Sequence, residues 1–124
     1  MDLRFENFIG GEFTSGNTMI EVLNPATGAL IGRAPDADMG VVDAALRAAD
    51  AAQADWGRLP AHTRGLALRA IATKIREKLP ELARITALEQ GKVLPLAEME
   101  IALTAEYLDY MAEWGRRIEG EVIS

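Results

Sequence analysis

The sequence predicts an α+β chain: short antiparallel strands followed by about four helices. Three observations predict it. Glycine- and proline-rich turns cut the first 35 residues into runs too short for helices. From Asp36 onward, apolar residues recur at spacings of three and four. Prolines 60, 80 and 95 then divide that region into helix-sized pieces, each proline suiting a first helical turn.

Phe8-Ile9, Gly10-Gly11 and Glu12-Phe13 have the form of a tight hairpin, because paired glycines tolerate positive φ. Thr14-Ser15-Gly16-Asn17 is a second turn signal. Met19 to Leu23 is a strand, stopped by Asn24-Pro25-Ala26-Thr27-Gly28, and Ala29 to Ala34 is another, closed by Pro35. Asp36 or Asp38 caps the first helix, whose apolar positions are Met39, Val42, Leu46, Ala49 and Trp56. The second helix follows Pro60 and buries Leu68, Ile71, Ile75 and Leu79; Gly65 inside it loosens its first turns. Pro80 opens a third helix with Leu82, Ile85 and Leu88, ended by Gly91 in the usual C-terminal position.

The fourth helix, opened by Pro95, dominates the stretch from Glu89 to Ile118. Leu96, Met99, Leu103, Tyr107, Tyr110, Trp114 and Ile118 share one face, with Ile101, Leu108 and Met111 beside it. Only Glu98, Glu106, Asp109 and Glu113 form a strip suited to water, and Glu113 is placed to pair with Arg116 or Arg117. Two apolar faces on one helix predict burial between partners. The chain offers little to cover them, so the isolated chain is expected to self-associate or bind a hydrophobic dye. Gly120 breaks the helix and Glu121-Val122-Ile123 starts a strand, which predicts a fragment of a longer protein.

Composition excludes several function classes. A net charge of −6 disfavours nucleic acid, which needs clustered cations. No apolar run reaches the roughly 20 residues that cross a bilayer, and the N-terminus lacks the core of a secretion signal. With no cysteine there is no disulfide, thiolate nucleophile or thiolate metal site, and a cytoplasmic setting is expected. No G-x-G-x-x-G run exists. Gly91-Lys92 resembles a phosphate-loop ending, but Val93 and Thr86 stand where that loop needs a hydroxyl residue and a glycine.

The residues able to carry chemistry each have a plainer reading. His62 reads as an exposed or lightly hydrogen-bonded surface residue, or as a general base with distant partners. The carboxylate strip reads as a solvated face before it reads as an acid–base pair. The Tyr107-Tyr110-Trp114 stripe reads as packing before it reads as a ligand wall.

Five segments in order carry a resemblance. NFIGGEF, VLNPATGALIGRAP, AAQADWGRLPAHTRGLALRAIATKI, LEQGKVLPLAEMEI and YLDYMAEWGRRIEGEVIS together resemble the N-terminal quarter of the NAD(P)-dependent aldehyde dehydrogenases. The last piece looks most like the lactaldehyde and glycolaldehyde branch. The resemblance implies that residues 1–124 form part of a Rossmann-like NAD-binding domain: a hairpin region 1–35, a helical region 36–118 and the start of a further segment at 119–124. It implies oxidation of an aldehyde to a carboxylate with NAD or NADP through a cysteine thioester, with the nucleophile, base and cofactor turn outside these residues. The isolated chain is then expected to be inactive, and the whole enzyme a homo-oligomer acting on a small aldehyde, with no nucleic-acid or membrane partner. The competing expectation is a stand-alone helical protein-interaction module.

The resemblance also carries two sites by position. A structural Na⁺ or K⁺ would fall to Val22, Leu23 and Glu89, although the family often has Thr or Ser in place of Val22 and Asp in place of Glu89. A substrate tunnel would be lined by Met99 and Leu103, with Tyr107 beyond them.

Overall fold

The computed structural model describes residues 3–16, 18–117 and 120. Five strands precede four helices among them, and they gather into two compact units. The first holds residues 1–57 and 88–91; the second holds residues 58–87 and 92–124.

In the first unit, β2 (Asn7–Ile9) and β3 (Glu12–Thr14) form the expected hairpin. Gly10 and Gly11 take φ of 62° and 90°, the pair of left-handed residues that a two-residue turn of the correct twist requires. Of the second turn signal, Asn17 lies outside the described residues. β4 (Thr18–Leu23) pairs antiparallel with β5 (Leu30–Asp36). Asn24 builds the turn between them: its side-chain oxygen accepts the Ala26 N–H at 2.9 Å and its carbonyl accepts the Gly28 N–H at 2.7 Å.

Three details differ from expectation here. β1 (Leu3–Arg4) adds a parallel strand on the far side of β5, a pairing too short to leave a periodic signal. Pro35 does not close β5, which runs on to Asp36. The Arg33 carbonyl accepts the Phe5 N–H at 3.2 Å, so residues 33 and 35 aim their polar groups toward β1. Pro35 lies past the end of β1, where no ladder donor is needed. Finally, a register shift leaves Ile31 as an extra residue opposite Val22-Leu23, which explains why Ile31 and Gly32 are both buried in succession.

Asp38, not Asp36, caps α1 (Met39–Arg58): its carboxylate accepts the Val41 N–H at 2.9 Å. No residue of α1 is fully buried. Its half-buried line is Val41, Ala45 and Ala48, and the larger Met39, Val42, Leu46 and Trp56 are exposed. The end of α3 joins this unit. Gly91, at φ 68°, ends that helix against Pro25, and a methyl group there would sit 2.9 Å from the Pro25 Cγ.

The second unit is built on α2 (Ala61–Glu77) and α4 (Leu94–Trp114), which pack against each other, with α3 (Leu79–Gln90) following α2. The packing is antiparallel, since Arg69 pairs with Glu113 and Arg76 with Asp109. The buried residues are small: Gly65 and Ala72 on α2, Ala83 on α3, and Ala97, Ala105 and Ala112 on α4. This corrects the expected core. Ile71 is half exposed, and Leu68, Ile75 and Leu79 are only partly covered. Gly65 is not a loose point but the closest contact, because a methyl group on it would lie 2.8 Å from the Ala112 carbonyl oxygen. Glu113 reaches Arg69 across the helices rather than Arg116 or Arg117, and Asp109 likewise leaves the solvated strip for Arg76. At the α2–α3 junction, the exposed Lys78 donates to Glu81 at 2.9 Å. That hydrogen bond, reinforced by the carboxylate charge, holds the ammonium above the ordinary lysine pKa. Ile118, Glu119 and Glu121-Val122-Ile123 lie outside the described residues.

Candidate functional site

The face of α4 turned away from α2 carries the candidate site. Leucine, methionine and tyrosine at 96, 99, 103 and 107 recur every three or four residues and line one side of the helix. They border a shallow open groove of about 520 Å³. Met99, Leu103 and Tyr107, expected at a substrate passage, are therefore brought together on one surface. Sequence reasoning missed the polar end of this groove. The Lys92 ammonium, two residues before α4, donates to the Glu100 carboxylate, and the Thr104 hydroxyl donates to the Glu100 carbonyl at 2.8 Å. A separation of eight residues across a helix start leaves no signal in an i, i+4 search.

Beyond Tyr107 the face continues as aromatic contacts. Tyr107 and Tyr110 have ring centroids 6.5 Å apart, Tyr110 and Trp114 meet edge-on at 6.1 Å, and the Arg117 guanidinium lies 5.9 Å from the Trp114 ring. The groove has an apolar floor and one neutralised ion pair, with no thiol and no imidazole. Its lining chemistry suits contact with apolar groups.

His62 sits exposed in the first turn of α2, beside Arg69, Glu113 and Arg116 at a separate depression of about 300 Å³. Among the described residues it makes no hydrogen bond that would orient a general base.

A profile of the aldehyde dehydrogenase family matches residues 13–124. The chain belongs to the aldehyde dehydrogenase family. It is 47% identical over 118 residues to lactaldehyde dehydrogenase of Escherichia coli K12, an alignment covering 94% of this chain and 25% of that enzyme. The crystal structure of the E. coli lactaldehyde dehydrogenase superposes with a TM-score of 0.95 at 44% identity, over 100% of this chain and 26% of that one. The NAD-dependent benzaldehyde dehydrogenase of Corynebacterium glutamicum superposes at 0.89 with 28% identity, over 96% and 27%. The chain thus spans about a quarter of the length of these aldehyde dehydrogenases.

The residues expected at a cation site fall in one compact unit: Val22 and Leu23 end β4, and Glu89 lies one residue from the end of α3. The Gly91–Pro25 contact draws the α3 terminus to the turn that follows Leu23. No group of three or more His, Cys, Asp or Glu suited to a metal exists among the described residues. A cation here would rest on main-chain carbonyls and one carboxylate, a donor set for a weakly held hard ion. The described positive-φ glycines are 10, 11, 28 and 91, and none of them stands between a strand and a helix. No helix among the described residues is long and apolar enough to cross a membrane.

The large side chains from Leu96 to Trp114 on this face are 45 to 59% exposed. In sedimentation and dye-fluorescence measurements the isolated chain is expected to associate and to bind a hydrophobic dye, and Leu103→Glu to weaken both. A clean monomer without dye binding would contradict this reading of the face.

Proposed function

We propose that this chain is the N-terminal part of an enzyme that oxidises a small hydroxyaldehyde to its carboxylate with NAD or NADP. Family membership supports the reaction class, and the 47% identity with a lactaldehyde dehydrogenase supports the substrate. The observation that carries a role for these residues is the groove formed by Met99, Leu103 and Tyr107. They would wall one side of the aldehyde passage, excluding water and leaving orientation of the carbonyl to groups elsewhere.

In the reaction that the resemblance implies, a cysteine thiolate outside these residues would add to the carbonyl carbon, NAD or NADP would serve as the two-electron oxidant, and water would hydrolyse the thioester to regenerate the thiolate. These residues contain no cysteine, which supports the reading that the chain alone would not turn over. Val22, Leu23 and Glu89 would hold a Na⁺ or K⁺ that ties the turn after β4 to the end of α3. The chain would form part of a Rossmann-like NAD-binding domain, and the enzyme would be a cytoplasmic homo-oligomer. The family match favours this reading over a stand-alone interaction module.

The test is formation of reduced cofactor from lactaldehyde or glycolaldehyde with NAD⁺ or NADP⁺. No turnover is expected from the 124 residues alone, and turnover is expected from the cysteine-containing enzyme that includes them. Turnover by the isolated chain would overturn the thioester route. A longer enzyme inert toward every aldehyde would overturn the reaction class.

A further inference from the structure

Backbone makes part of the α2–α4 contact. A methyl group on Gly65 would approach the Ala112 carbonyl oxygen to 2.8 Å, and one on Gly115 would approach the Ala61 carbonyl oxygen to 2.9 Å. Ordinary contacts begin near 3.4 Å. Between these glycines and the far end of the pair lie Ala72 and Ala105, both with no exposed surface. No flexible side chain lies at the Gly65 contact to absorb an added atom. On α4, Ala105 and Ala112 lie about half a turn from Leu103 and Tyr107, at about 100° per residue. The helix therefore rests on α2 with one side and presents the groove with the other.

We infer that Gly65 is a positioning residue: its missing side chain sets the depth at which α4 lies on α2, and thereby how far Met99, Leu103 and Tyr107 project into the aldehyde passage. This rests on the reading of the groove as that passage. An alanine at 65 meets main chain that cannot rotate away, so α4 must retreat near Ala112 by roughly half an ångström. Close-packed helices move as units, so the groove face advances by a similar amount. The passage narrows for long aldehydes and hardly changes for the shortest.

The test compares kcat and KM for straight-chain aldehydes of increasing length in the enzyme that contains these residues. Gly65→Ala should raise KM for the longer aldehydes by about threefold or more relative to the shortest, with kcat for the shortest nearly unchanged. Ala72→Ser, a smaller enlargement of the same contact, should shift the series in the same direction by less, and it decides the matter should Gly65→Ala fail to fold. Leu103→Ala, which opens the groove directly, should relax the length preference. If Leu103→Ala does so while the folded contact variants affect all lengths alike, the positioning inference is overturned and the passage stands. If Leu103→Ala leaves the preference unchanged, the passage reading falls and this inference with it.

Discussion

Ala105→Leu is expected to pry α2 from α4 and lower the melting temperature of the protein by about 10 °C or more, a loss of about 3 kcal/mol. Ala105 is fully buried on the face of α4 that also carries Ala112, whose carbonyl lies against Gly65. Three added carbons have no void to enter, so the helices must separate or a turn of one must distort. The two ion pairs across the same interface should matter far less. Arg69–Glu113 and Arg76–Asp109 have side chains one-third to one-half exposed, so each pair is worth about 0.2–1 kcal/mol. Thermal melts of Ala105→Leu beside Arg76→Ala check the ranking. Equal losses from both would mean that charge, not close packing, holds the pair.

Gly91→Val is expected to cost about 3 kcal/mol in urea unfolding, with Gly91→Asn milder. Gly91 takes φ 68°, a region that a β-branched residue enters only with strain, and its Cα faces the Pro25 ring. Valine therefore meets both a backbone penalty and a clash at 2.9 Å, and asparagine tolerates the backbone but keeps the clash. Because this contact joins the end of α3 to the turn after β4, the variant should also loosen whatever Val22, Leu23 and Glu89 do together. A Gly91→Val protein that unfolds at the wild-type urea concentration would show the contact to be incidental.

Much of the secondary structure was legible in the sequence because it is local. Gly10-Gly11 dictates a hairpin turn, Asn24 to Gly28 closes its own hydrogen bonds, and Pro95 and Gly91 mark helix ends through backbone geometry alone. The family resemblance was legible for a similar reason, since its motifs are these same turns in order. What failed was the choice of helix face. Size and hydrophobicity pointed to Leu68, Ile71 and Ile75 as the covered side of α2, and to large residues on α1. The structure instead covers Gly65 and Ala72, and only partly covers Val41, Ala45 and Ala48.

The sequence by itself determined most turns and helix starts, the absence of a thiol nucleophile, and the apolar stripe from Leu96 to Trp114. Only the tertiary structure decided which side of α4 meets α2, that Asp109 and Glu113 bridge to arginines rather than face water, and that Lys92 and Glu100 close one end of the groove. The reason is physical. Turn and cap energies depend on a few neighbouring residues, whereas a helix with apolar side chains on several faces has no sequence rule for choosing among them. Here close approach of two backbones favoured the smallest residues, and the larger ones were left to form the groove.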